Sequence, residues 1–155
     1  MKLSYDRYYE KVRGAWLGKC VGGAAGAKQE NFKGVMDYTM DNVFPDVIPP
    51  NDDFDLQVLW LKEVIAKKGP VLTSADLGEA FVKYNICLAN EYSVSMKNIE
   101  VGIAPPLAGS FNNGFFKNSM GCPIRAEIWA MICPGDPEKA VYYAGEDGCI
   151  DHGSE

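Results

Sequence analysis

Pro50-Asn51-Asp52-Asp53-Phe54-Asp55-Leu56-Gln57-Val58-Leu59-Trp60-Leu61-Lys62-Glu63-Val64 is the passage on which the fold turns. Asn51 is a favourable N-cap, and Asp52, Asp53 and Asp55 crowd the first turn, where the positive end of a helix dipole accepts negative charge. Leu56, Leu59, Trp60 and Val64 then recur at helical spacing. Lys67-Lys68-Gly69-Pro70 ends the segment with cations at the negative end, a candidate left-handed glycine and a breaker.

The segments on either side repeat this grammar. Tyr5, Tyr8, Tyr9, Val12, Trp16 and Cys20 predict a first helix from Tyr5 to about Ala25. Gly14, Gly18, Gly22 and Gly26 line one stripe of it, which predicts either close approach of another backbone or a ligand loop opened by the last glycines. Residues 30–50 read as a long polar loop. Thr73-Ser74-Ala75-Asp76 forms a capping box for a third helix, with Leu77, Phe81, Tyr84 and Leu88 carrying it to Asn90. Residues 91–121 read as irregular, a fourth helix is expected from Pro123 to Ile132, and Asp136-Pro137 starts a fifth towards Ile150. Alternating strand patterns are missing, so the fold class is all-α with long ordered loops, in one domain over residues 1–155.

Composition narrows the function. The 155 residues carry a net charge of −6 and no basic cluster, which argues against nucleic acid. The longest apolar stretch, Ala15 to Ala27, is too short for a bilayer and contains Lys19. Five irregularly spaced cysteines and no secretory signal pattern predict reduced thiols in a cytoplasmic setting. With His152 as the one histidine, multi-histidine metal sites are excluded, and hydrolytic chemistry must rest mainly on carboxylates. The acids at 52–55 fit two roles, complementation of the helix dipole or ligation of a hard cation such as Mg²⁺.

Five motifs in order resemble the ADP-ribosylglycohydrolases: Gly18-Lys19-Cys20-Val21-Gly22-Gly23-Ala24-Ala25-Gly26 followed by Glu30, Pro50 to Gln57, Asn118-Ser119-Met120-Gly121-Cys122-Pro123-Ile124-Arg125, Gly135-Asp136-Pro137-Glu138, and Asp151-His152-Gly153. The resemblance implies a multi-helix orthogonal bundle with two Mg²⁺ ions that hold ribose hydroxyls and a water near an anomeric carbon. It implies metal ligation by Asn51, Asp52 and Asp53, catalytic carboxylates at Glu30 and Asp53, and a ligand site lined by Asn118, Ser119, Gly121 and His152. Asn51 stands where many members have Thr or Ser, and Phe54 where many have Thr.

The implied substrate is an ADP-ribosyl small molecule or an ADP-ribosylated protein. Family members carry a second acidic motif, Asp-x-Asp-Thr, which this sequence does not contain. The expectation is therefore the N-terminal portion of the fold, with weak or no activity alone. It would associate with itself or with a C-terminal segment through the faces bearing Tyr9 and Trp16, and Leu59 and Trp60. The alternative is a catalytically inactive module that binds ADP-ribose or a nucleotide, or acts as a scaffold.

Overall fold

Ser4 is extended and turns its hydroxyl onto the backbone N–H of Arg7, which starts α1 (Tyr5–Ala27). The computed structural model describes residues 3–84 and 87–153. It continues with α2 (Asp52–Ala66), α3 (Ser74–Tyr84), α4 (Asn90–Glu100), α5 (Leu107–Ser110), α6 (Glu127–Ile132) and α7 (Pro137–Gly148). The described residues contain no strand, as the all-α reading requires. The helices fall into two units, Met1–Asn51 and Asp52–Glu155.

The first unit is α1 with its following loop. Tyr5, Tyr9, Leu17 and Val21 are exposed, Trp16 is half-buried, and Ala24 is the buried residue of the helix. Within the first unit the glycine stripe meets neither expectation. A Cβ built on Gly14, Gly18, Gly22 or Gly26 meets no atom within 4 Å, so no backbone of that unit crowds them. The helix also runs on to Ala27, so these glycines do not open the loop. That loop is organised by Asn42, whose Oδ1 accepts the Thr39 N–H at 2.9 Å and whose Nδ2 donates to the Asp37 carbonyl at 3.1 Å.

The second unit holds the main core. Leu56, Trp60, Leu77, Phe81, Ile128, Trp129 and Ile150 are almost fully buried. The Trp60 ring stacks on Phe81 at 6.3 Å, and Phe81 meets Tyr92 edge-on at 5.9 Å. α2 packs on α3 and α6, α3 on α4 and α7, α4 on α5, and α6 on α7. Leu59 and Trp60, expected to face a partner, are 8% and 0% exposed because α3 and α6 cover the α2 stripe.

Element boundaries bring further corrections. Residues 91–121 are not irregular, since α4 and α5 lie there. α4 escapes a hydrophobic-period reading because its buried face is largely polar. Ser95 donates to the Ile150 carbonyl, and Asn98 donates to the carbonyls of Ala108 at 2.8 Å and Phe111 at 2.7 Å. α3 is described as far as Tyr84 and does not reach Asn90: Asn85 and Ile86 lie outside the described residues, Cys87 and Leu88 are not helical, and Asn90 opens α4. The fourth predicted helix starts late, at Glu127. Before it the chain winds in tighter turns, such as Arg125 N–H to the Cys122 carbonyl at 3.1 Å. After α2 the left-handed residue is Lys68 at φ 58°, with Gly69 at φ 151°. α7 starts as expected, with Asp136 accepting the Lys139 N–H at 3.0 Å and Pro137 in the first turn.

The capping box at α3 is complete. Asp76 accepts the Thr73 N–H at 2.9 Å, the Thr73 hydroxyl accepts the Asp76 N–H at 3.2 Å, and Lys67 reaches Asp76 at 2.7 Å. The Lys67 hydrogen bond, then those from Thr73, hold the Asp76 carboxyl down at about 2, against an ordinary 3.8. Because the folded value is depressed, the stabilisation is full above the ordinary value and fades as pH falls through about 2. Asp76→Ala is expected to cost about 1 kcal/mol in urea unfolding at neutral pH, with the difference from wild type shrinking in acid. Gly18→Ala, with open space around the added methyl, is expected to stabilise α1 by up to about 1 kcal/mol in the same measurement.

Candidate functional site

Arg125 organises the second unit from within. It is fully buried, which is tolerable for a cation only if its donors are satisfied. Nε donates to Asp147 Oδ1 at 2.7 Å, Nη1 to Asp151 Oδ2 at 2.7 Å, and Nη2 to Asp151 Oδ1 at 2.8 Å and the Asp147 carbonyl at 3.2 Å. Trp129 Nε1 takes the other Asp147 oxygen at 2.9 Å. Burial pushes the Asp151 carboxyl up, but Arg125 and the hydrogen bonds from Arg125 and His152 outweigh it and hold it below its ordinary value. The guanidinium also lies 5.8 Å from the Trp60 ring and 5.9 Å from the Tyr92 ring.

The loop before Arg125 is held from two sides. On one, Gly121 N–H donates to Glu91 Oε1 at 3.0 Å. A Cβ on Gly121 would collide with that oxygen and lie 2.8 Å from Tyr92 Cε1, so any side chain there must displace Glu91 or Tyr92. Tyr92 in turn donates its hydroxyl to Asp52 Oδ2 at 3.1 Å. Burial pushes the Tyr92 phenol up, so it remains a donor at neutral pH. On the other side stands His152, with Nδ1 at 2.6 Å from Asp151 Oδ1 and Nε2 within 3.4 Å of Ser119 Oγ and of the Cys122 N. Burial pushes the Cys122 thiol up to about 12, which keeps it a thiol rather than a nucleophilic thiolate.

The structure thus brings Ser119, Gly121 and His152 together and joins Asp52 to them through Tyr92. Asp52 and Asp53 open α2, both half-buried. Asn51 is the half-buried last residue of the first unit, and Glu30 is exposed within that unit. Asn118 is exposed, Ser119 half-buried, Gly121 buried and His152 8% exposed. Among the described residues no three His, Cys, Asp or Glu side chains converge as a metal cage. Oxygen donors of the kind Mg²⁺ takes are nevertheless present at Asp52 and Asp53, and the Asp52 carboxylate is steadied by a neutral phenol.

Sequence reasoning misses Glu91, Tyr92 and Asp147. Glu91 and Tyr92 sit in the stretch read as irregular, and Asp147 has no motif around it. Arg125 and Asp151 lie inside quoted motifs, which was the available signal.

The family model described as ADP-ribosylglycohydrolase matches residues 4–155, and the chain belongs to that family. No curated protein and no solved structure matches it. The family is of hydrolase type and at a coarse level implies ADP-ribosylated substrates. No described helix is long and apolar enough to cross a membrane.

Gly121→Ala is expected to lower the melting temperature, at a cost of about 1–3 kcal/mol, because the methyl must displace Glu91 or Tyr92. Gly114→Ala, with nothing within 4 Å, is the control in the same thermal melt.

Proposed function

We propose that this protein hydrolyses an N- or O-glycosidic bond to an ADP-ribosyl group in a Mg²⁺-dependent reaction. One observation carries the reading: the Tyr92 hydroxyl couples Asp52 of the acidic motif to the Gly121 loop, so two motifs far apart in sequence meet at one place. The remaining support is family membership over residues 4–155.

Asp52 and Asp53, with Asn51 beside them, would hold Mg²⁺, and the family resemblance implies two ions. Bound Mg²⁺ would position ribose hydroxyls and offset the charge that develops as the glycosidic bond breaks. Further oxygen ligands are needed, since Mg²⁺ demands a near-octahedral set. Asn118 and Ser119 would contact the ligand from a loop whose shape Gly121 and His152 maintain. Asp53 is the carboxylate of the second unit proposed to take a proton from the attacking water, and the family resemblance alone implies a catalytic role for Glu30 of the first unit. The exposed Tyr9, Leu17 and Val21 of α1 support association with a second copy or a further segment as part of this reading.

The paired substitution Asp52→Asn with Asp53→Asn tests the metal assignment. Calorimetry is expected to show lost Mg²⁺ binding while circular dichroism shows unchanged helix content. Undiminished Mg²⁺ affinity would sink it. ADP-ribose binding that is indifferent to Mg²⁺, with no turnover of an ADP-ribosylated substrate, would favour a binding module instead.

A further inference from the structure

The polar atoms around His152 bear on which ring nitrogen carries its hydrogen. Both oxygens of Asp151 are engaged by the Arg125 fork, at 2.7 and 2.8 Å, so Asp151 is an ionised acceptor. Its Oδ1 lies 2.6 Å from His152 Nδ1, which must therefore carry a hydrogen. On the other side of the ring the Cys122 backbone N–H points at Nε2, at 3.4 Å. A backbone N–H cannot rotate away, so a hydrogen on Nε2 would exclude this hydrogen bond. Ser119 Oγ, 3.4 Å from Nε2, can turn its hydrogen towards the same lone pair. The Ser119 carbonyl, at 3.2 Å, is the one neighbour that would prefer a proton there.

We propose that Asp151 is a positioning residue that fixes the proton of His152 on Nδ1, leaving Nε2 as the acceptor that shapes the loop from Asn118 to Cys122. The functional meaning rests on the reading above, in which that loop contacts the ligand. Ser, His and Asp also form the relay of nucleophilic hydrolases, but there the Nε2 lone pair must be available to take the serine proton. Here the Cys122 N–H competes for that lone pair at the same 3.4 Å as Ser119 Oγ, and His152 is 8% exposed. The three residues therefore hold a loop rather than activate a nucleophile. Gly109 allows this seating: a Cβ there would collide with the His152 backbone, so α5 approaches the Asp151–His152 segment closely.

The single histidine makes the test direct. Protein carrying no histidine tag is labelled with ¹⁵N-histidine, and long-range ¹⁵N–¹H correlations are recorded without ligand at about pH 8, where an ordinary imidazole is neutral. The expected spectrum shows hydrogen on Nδ1 and none on Nε2. A wild-type spectrum with hydrogen on Nε2, in either the other neutral tautomer or the doubly protonated ring, overturns the proposal without recourse to any variant.

In Asp151→Ala, Arg125 keeps Asp147 as its counter-charge, while the imidazole loses its acceptor. The proton is expected to move to Nε2, the form that free neutral histidine prefers, and the Cys122 amide signal to shift. An unchanged tautomer in the folded variant also overturns the proposal. ADP-ribose titration separates the two readings. Wild-type binding that falls about tenfold or more in Asp151→Ala supports the positioning role. The expected tautomer in a wild-type protein that binds no ADP-ribose counts against the proposed function while upholding the assignment of Asp151.

Discussion

The buried guanidinium of Arg125 is the constraint around which the second unit is arranged. A cation removed from water is tolerated only when nearly all its donors meet anions, and Asp147 and Asp151 supply those from the end of α7 and just beyond it. Removing one partner of such a pair typically costs about 3–5 kcal/mol, because the other charge is left stranded. Replacing all three with apolar residues need not cost as much, so the network is better understood through the geometry it imposes. Arg125 stands just before α6, and its two aspartates fasten α6 to the last turn of α7. Trp129, by donating to Asp147, adds an apolar wedge to the same joint.

From that joint the geometry propagates outward through groups with little freedom. Asp151 can offer His152 only one orientation, because Arg125 holds both its oxygens. The loop is fixed at successive backbone amides, Gly121 by Glu91 and Cys122 by His152. Its glycine is dictated by contact, since Glu91 and Tyr92 occupy the space of a side chain. Glu91 and Tyr92 are neighbours in the first turn of α4, and their side chains serve different partners, the loop amide and Asp52. A short polar helix thereby ties an acidic helix start to a loop some 70 residues away in sequence.

What the sequence makes legible is what depends on local rules. The start of α7 at Asp136-Pro137, the box at Thr73–Asp76 and the acidic start of α2 follow from capping and dipole arguments, and the structure agrees. α4 is illegible because its buried face uses Glu91, Ser95 and Asn98, which satisfy distant carbonyls and an amide; no hydrophobic period records that. The delayed start of α6 is a matter of backbone pattern, since the chain after Pro123 first winds in i→i−3 turns such as Arg125 N–H to the Cys122 carbonyl. Of the candidate site, Ser119, Gly121 and His152 are legible as motif members and do come together. Their supports, Asp147 and Glu91, have partners 22 and 30 residues away and no local signature.

The acids of the second unit divide by the partners they meet. Asp147 and Asp151 are buried, and all four of their carboxylate oxygens are engaged by Arg125, Trp129 and His152, so they have no oxygen to offer a second cation. Asp52 is half-buried at a helix start, and its hydrogen-bond partner there is the neutral Tyr92 hydroxyl. A phenol that stays protonated orients a carboxylate without cancelling its charge. It also fills one of the lone-pair directions and leaves the rest of the carboxylate for other ligands. The two arrangements are therefore suited to different work, rigid cross-linking in the core and retention of negative charge at the surface. Under the Mg²⁺-dependent reading proposed above, that difference in partners, more than the number of acids at positions 52–55, is what favours the start of α2 over Asp147 and Asp151 for the ion.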